Sequence, residues 1–279
     1  MVLQHAWIAS NILGPISLFA FGFQSNELPY TRQTTCMNLV LFLILLLISE
    51  IIGTIGGFGS SVLFVPLAQF FFDFQTVLAL TGLLHVFSNT AKLILFYKTI
   101  NWKLVLWLGT GSIALVVVGA WLTTRIDFIY AKTLLGFFLV AFSIYFLKNP
   151  EATLKPTKAN LVWSGSLAGF MAGFIGTGGA IRGLALTAFQ LPKNFFVGTS
   201  AAIDFGVDVA RSVMYLNFGF LQNKFIGYIP LLILAAFGGS YLGKIILDKL
   251  RQDTFQRIVL YLILAIGLVM LIQEIQHFS

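Results

Sequence analysis

Apolar stretches recur about every 25 residues along the chain, each close to the roughly 20 residues that a helix needs to cross hydrocarbon. Broken by short polar or glycine-rich segments, they predict helices over Asn38–Gly57, Ser60–Phe72, Thr76–Tyr97, Trp102–Thr123 and Ile129–Leu147. After a linker, Lys148–Lys158, that contains Pro150 and Pro156, the pattern restarts. Helices are predicted over Leu161–Gly176, Ile181–Leu191, Phe195–Leu216, Phe225–Leu247 and Phe255–Ile272. An earlier stretch, Ala6–Phe23, carries Pro15 and lacks the basic start of a secretory signal, so it reads as an extra or interfacial helix.

The restart is an internal repeat. Moving the second half back by 120 positions lays Gly173-Phe-Ile-Gly176 on Gly53-Thr-Ile-Gly56, Gly179 on Gly59, and Gly239-Ser-Tyr241-Leu242 on Gly119-Ala-Trp121-Leu122. A shift of 119 lays Asp208-Val-Ala-Arg211 on Asn89-Thr-Ala-Lys92. The chain therefore divides into an N-terminal apolar segment and connector (1–37), a first repeat (38–148), a linker (149–159), a second repeat (160–273) and a tail (274–279).

Composition turns this pattern into a solvent assignment. With 58% hydrophobic and 10% charged residues and a mean hydropathy of +0.92, the chain lies far from the roughly 25% charge of soluble domains. It reads as an all-α polytopic membrane protein whose partner is the lipid bilayer; the short alternating strands of a β-barrel are missing. The net charge of +7 comes from basic residues scattered singly between apolar runs, which argues against nucleic acid. A lone Cys36 permits no internal disulfide, and the histidines His5 and His277 have no ligand spacing, so no metal or cofactor is expected.

Topology depends on the two short segments. If each simply extends the helix before it, each half crosses four times and the loop Lys and Arg divide seven to seven. If each turns back, one face collects Lys98, Lys103, Lys148, Lys155, Lys158, Lys193, Lys244, Lys249, Arg251 and Arg257, and the other keeps Arg32, Arg125, Lys132 and Lys224. Cytoplasmic loops gather positive charge, so the second arrangement is preferred, with the linker inside and the C-terminus outside a cell (inner) membrane. Odd crossing numbers make the halves inverted-topology repeats with short broken or re-entrant helices at glycine-rich turns, an architecture of secondary transporters.

Charge at membrane depth is costly, about 3 kcal/mol at a helix centre by insertion scales, and marks candidate chemistry. Glu50, Lys92, Arg182, Asp204, Asp208 and Arg211 lie there. Thr81, His85, Asn89 and Lys92 share one face of a helix within an arc of about 80°. The stripe returns as Ser200, Asp204, Asp208 and Arg211, so two polar faces are expected to line one central cavity. Pairing of Asp208 with Arg211, and of Glu50 with Lys92, would account for some of these charges as simple neutralisation. Arg182 follows Gly178-Gly179 at the start of a short helix, where free N–H groups and a guanidinium together suit an oxyanion. Gly165, Gly169, Gly173, Gly239 and Gly243 have the spacing of close helix packing. The denser clusters Gly56, Gly57, Gly59 and Gly176, Gly178, Gly179 suit unwound backbone beside a buried site. Ser60-Ser61 with His85 also offers the residue types of an intramembrane serine hydrolase, a pattern too common to carry weight.

At these turns the chain resembles the sulfite exporter TauE/SafE family, also called the toluene sulfonate uptake permease family. The resemblance rests on Gly53-Thr-Ile-Gly56-Gly57-Phe-Gly59 with Val65-Pro66, and on the counterpart from Gly173 to Gly179; it covers roughly Asn38 to Gln273. Ser60-Ser61 stands where that family usually continues with glycine, and Ala180-Ile181-Arg182 replaces its usual apolar continuation and proline. The resemblance implies a secondary carrier of sulfite, sulfonates or other organosulfur anions, not an enzyme. Arg182, Arg211 and Lys92 are then candidate oxyanion ligands, with Ser200, Thr81 and Asn89 beside them. Asp204, Asp208, Glu50 and His85 would balance charge or accept a coupling ion, proton or sodium. A homo-oligomer is compatible with all of this, and a membrane assembly factor or scaffold that carries nothing is the alternative. Cysteine-accessibility labelling is expected to find the linker and the C-terminus on opposite faces of the membrane; both on one face would contradict the odd crossing number.

Overall fold

A computed structural model describes residues 32–68, 71–122, 125, 129–152, 154–175 and 178–278. The predicted helix Ala6–Phe23 and Gly176 lie outside the described residues. The chain forms two compact units, 1–40 and 41–279; the described part of the first is the opening of one helix, and the second holds every other described element.

The described residues contain α-helices, short 3-10 segments and no strands. The first half runs α1 (Arg32–Gly56), α2 (Ser61–Ala68), α3 (Phe74–Phe96), a 3-10 turn, α4 (Trp102–Leu122) and α5 (Ile129–Lys148). The second repeats that order as α6 (Lys158–Phe174), α7 (Gly179–Ala188), α8 (Lys193–Asn217), a 3-10 segment, α9 (Ile229–Lys249) and α10 (Gln252–Phe278). Among the described residues, four stretches are long and apolar enough to cross a membrane: Phe74–Thr99, Trp102–Leu122, Phe225–Lys249 and Gln252–Ile272. Helix α8 is equally long at 25 residues but carries Asp204, Asp208 and Arg211 in its middle. Helix α3 starts earlier than its apolar pattern suggests. Asp73 caps it, accepting from the Thr76 N–H at 3.0 Å and the Thr76 hydroxyl at 2.7 Å.

Each short helix packs against the helix that precedes it. Gly57 and Gly59, with φ of +71° and +90°, take the left-handed conformations that end α1 and reverse the chain. Ser60 then lies against Gly53, and further along the return Phe64, Phe71 and Phe72 reach the ring of Phe42 on α1. In the second half Gly178 packs on Ala168 and Ala172 of α6, and by the end of α7 the Ala188 carbonyl accepts from the N–H of Leu154, which precedes α6. The tips of these two hairpins meet, with Gly179 on the carbonyl oxygen of Phe58.

Helices α3 and α8, equivalent by the sequence repeat, run antiparallel along their length. Thr76 meets Phe220, Gly82 meets Ser212, Asn89 meets Asp208, and Gly198 meets Phe96. The equivalent pair α5 and α10 is also antiparallel, with Gly136 on Leu271 and Gly267 on Val140. By contrast α6 runs parallel to α4, through Gly165 on Leu108, Gly169 on Ser112 and Gly173 on Val116. Its repeat equivalent is the parallel packing of α9 on α1, through Gly239 on Glu50 and Gly243 on Thr54. Lipid offers no hydrophobic drive between helices, so such glycine seams supply backbone-close dispersion contact in its place.

One end of the bundle gathers the α3–α4 turn, the linker, and the α7–α8 and α9–α10 turns. Thr99 bonds the Asn194 carbonyl at 3.0 Å, Lys193 bonds the Leu247 and Asp248 carbonyls, and Gln252 bonds the Leu191 carbonyl. A cavity of about 690 Å³ opens at this end, lined by Thr187, Gln190, Gln256, Arg257 and Leu260 among others. Phe42, Phe72, Phe225 and Tyr228 close the opposite end, their rings mostly edge to face.

A methyl group at Gly169 would overlap the carbonyl oxygen of Ser112, whereas one at Gly227 would meet nothing. Gly169→Ala is therefore expected to destabilise the protein by about 1–3 kcal/mol through overpacking, and Gly227→Ala to leave thermal unfolding in detergent nearly unchanged.

Candidate functional site

The antiparallel crossing of α3 and α8 superposes the two polar stripes, and the hairpin tips add Ser60 and Arg182 to them. Glu50, His85, Lys92, Arg182, Asp204, Asp208 and Arg211 are all buried, none more than 7% exposed. The three cations each face a carboxylate. Lys92 Nζ donates to Glu50 Oε1 at 3.0 Å, Arg211 Nε stands 2.7 Å from Asp208 Oδ1, and Arg182 Nη2 pairs with Asp204 Oδ1. The formal charges of these six groups cancel.

Hydrogen bonds tie the pairs into two groups. In one, Ser88 Oγ accepts from Lys92 at 2.6 Å and donates to Glu50 Oε1, while Ser60 Oγ donates to Glu50 Oε2 at 2.7 Å. Ser60 Oγ lies 3.0 Å from His85 Nε2. The far ring nitrogen, His85 Nδ1, lies 3.3 Å from Arg211 Nη2 and 3.5 Å from Asp208 Oδ2, and Asn89 Nδ2 donates to the same Asp208 oxygen at 2.7 Å. A line therefore runs from Lys92 through Glu50, Ser60 and His85 to Asp208 and Arg211. In the second group, Arg182 Nε donates to Ser200 Oγ at 3.2 Å, and Ser200 donates to Asp204 Oδ2 at 3.2 Å. Arg182 Nη1 is buried and has no hydrogen-bond partner among the described residues.

Local structure explains these placements. Arg182 lies in the first turns of α7, whose N-terminus at Gly178 has no side-chain cap, so the opening N–H groups and the guanidinium share one region. Gly59 rests on the edge of the His85 ring, where a Cβ would stand 2.9 Å from Cε1; this contact and the left-handed φ both call for glycine. Tyr215 donates to the Gly173 carbonyl at 2.6 Å in the last turn of α6.

Of the residues singled out from sequence, Glu50, His85, Asn89, Lys92, Asp208 and Arg211 share one network, and Arg182, Ser200 and Asp204 form the second. Thr81 joins neither: its hydroxyl donates back to Val77 of its own helix at 2.6 Å. Gly57, Gly59, Gly178 and Gly179 lie at the hairpin tips, with Gly56 closing α1. Ser88 escaped the sequence reading. It stands one turn from Lys92, but a serine in an apolar helix announces no role until Glu50 is seen opposite. Ser60, His85 and Asp208 follow one another in the order of a hydrolase triad, yet the Ser60 proton points at Glu50 and away from the imidazole, opposite to nucleophile activation.

Among the described residues, an all-helical bundle with helices apolar and long enough to cross a membrane encloses a charge-balanced polar cluster, an arrangement that suits a membrane transporter. The model of the sulfite exporter TauE/SafE family matches residues 41–270, and the chain belongs to that family. It is similar to the "probable membrane transporter protein" of Methanocaldococcus jannaschii, 29% identical over 267 residues that cover 84% of this chain and 97% of that protein. No solved structure matches.

Glu50→Gln leaves the Lys92 charge buried and unpaired, and is expected to cost about 3–5 kcal/mol in unfolding experiments in detergent. Adding Lys92→Met should restore most of that loss, because the charge goes with its partner.

Proposed function

We propose that this transporter moves a small sulfur-containing oxyanion, sulfite or a sulfonate, by alternating access between two inverted halves, with the anion's passage coupled to a second ion. The observation that carries the reading is Arg182: a buried guanidinium with one carboxylate partner and a spare donor, Nη1, beside an uncapped helix start. Planar, forked donors of this kind match oxyanions. Arg211 and Lys92 would be further ligands, and Ser200 a hydroxyl contact next to Arg182. Asn89 and the carboxylates would hold the cations in place while the site is empty. Sulfur chemistry is suggested by the family's name alone.

Inverted topology draws support from the antiparallel runs of α3 against α8 and of α5 against α10, each pair equivalent by sequence repeat. The reversals after Gly57 and before Gly179 support re-entrant segments and odd crossing numbers. With the lysine-rich end on the cytoplasmic face of an inner membrane and the C-terminus outside, the cavity opens inward and the Phe72 cluster seals the outer end. Thr187 at the cavity lies about 7.5 Å along α7 from Arg182, so this short helix stands between vestibule and site.

Proteoliposome uptake of a labelled sulfonate tests the reading. Arg182→Gln is expected to lower flux by about ten- to a hundredfold, the worth of a charged hydrogen bond. Unaltered flux in both Arg182→Ala and Arg211→Ala, with folding intact, would remove the site.

A further inference from the structure

The charges in the cluster cancel, so an arriving monoanion would leave the buried site with a net charge of minus one unless a positive charge came with it. Each carboxylate oxygen already has a donor or a cation beside it. Glu50 accepts from Lys92, Ser88 and Ser60, Asp204 from Arg182 and Ser200, and Asp208 from Asn89 with Arg211 at its other oxygen. Protonating a carboxylate would strip a buried cation of its counter-charge; His85 can take a proton without that loss, and its hydrogen bonds are directional. Glu50, ionised beside Lys92, only accepts, so the Ser60 proton is committed to Glu50 and the Ser60 oxygen must accept from His85 Nε2–H. Neutral His85 therefore presents the lone pair of Nδ1, which receives an N–H from Arg211 Nη2. The nearby Asp208 Oδ2 has nothing to accept from that nitrogen.

We propose that His85 is the binding site of the coupling proton, and that its protonation turns Nδ1 from an acceptor for Arg211 into a donor to Asp208, so that the Arg211 N–H it accepted can turn to the anion. The inference rests on the anion-carrier reading and names its coupling ion. A proton at Nδ1 adds the one positive charge that a monoanion requires, and it repels Arg211 from the imidazole. Charged groups of both signs face His85. Glu50 on α1, through Ser60, and Asp204 and Asp208 on α8 stabilise the imidazolium; Arg211 on α8, Arg182 on α7 and Lys92 on its own helix oppose it. Gly59 against the ring edge keeps the imidazole from swinging out of line, so protonation changes the direction of bonds more than the position of the ring. Imidazole is the side chain suited to changing charge near neutral pH. Sodium would need free oxygens, and those of the cluster are engaged with cations and donors.

The sign follows from linkage: if each anion binds with one proton, anion affinity falls as pH rises, by about tenfold per pH unit wherever binding takes up that proton. Ethanesulfonate is the probe, because it keeps a single negative charge across the working range and any pH dependence then belongs to the protein. In weakly buffered detergent solution, wild-type protein should take up one proton per ethanesulfonate bound. His85→Gln keeps a donor toward Ser60 but cannot be protonated; it should bind more weakly, with no proton uptake and a flat pH profile. The infrared difference spectrum of wild type with and without ethanesulfonate should show imidazolium bands and no protonated-carboxyl C=O stretch, a readout that stands even if the variant does not fold. A protonated-carboxyl band, proton uptake by His85→Gln, or anion binding by wild type without proton uptake would overturn the assignment to His85 and leave the carrier reading in place. Failure of wild type to bind ethanesulfonate or sulfite at any pH would fall on the carrier reading itself.

Discussion

Among the described residues, three positive and three negative side chains lie buried in a protein whose surroundings are hydrocarbon, and their mutual neutralisation governs the rest of the molecule. An unpaired charge at that depth costs several kcal/mol, so the backbone has to deliver Lys92 to Glu50, Arg211 to Asp208 and Arg182 to Asp204. The antiparallel crossing of α3 and α8 brings the stripes together, and the two hairpins carry Ser60 and Arg182 in from the sides. Glycine makes this possible twice over, by allowing the reversal at Gly57 and Gly59 and by letting α6 and α9 approach their neighbours to backbone distance.

The halves share a skeleton but not a chemistry. A shift of 120 puts Phe170 where the first half has Glu50, and Val62 where the second has Arg182. Asn89 and Asp208, equivalent by repeat, bond each other directly, marking the place where the halves meet. Packing is equivalent in both halves, as in the matched seams of α4 with α6 and α9 with α1, while the unequal chemistry yields one polar cluster.

Much of this was legible in the chain. Apolar spacing gave the helices with ends off by up to six residues, the repeat gave their duplication, and the two stripes together with the charges at membrane depth picked out the cluster apart from Ser60 and Ser88. The pairs Asp208–Arg211 and Glu50–Lys92 were visible, the first because i and i+3 are helical neighbours and the second by elimination. What lay beyond reach was set by tertiary contact. Nothing local joins Arg182 on α7 to Asp204 on α8, and the line from Ser60 through His85 to Asp208 crosses three separate elements. Thr81 shows the opposite limit: it shares the stripe of His85, yet its hydroxyl spends itself on Val77 one turn back.

A cluster whose charges cancel when empty should still be neutral when loaded, and electrical recording on the wild-type protein asks this directly. With the protein reconstituted on a solid-supported membrane and a gradient of monovalent sulfonate imposed, the account predicts substrate flux without current, unaffected by a potassium–valinomycin potential. A current carrying the sign of the anion alone, scaling with flux, would mean that the anion crosses unaccompanied and would contradict the charge balance on which the account depends.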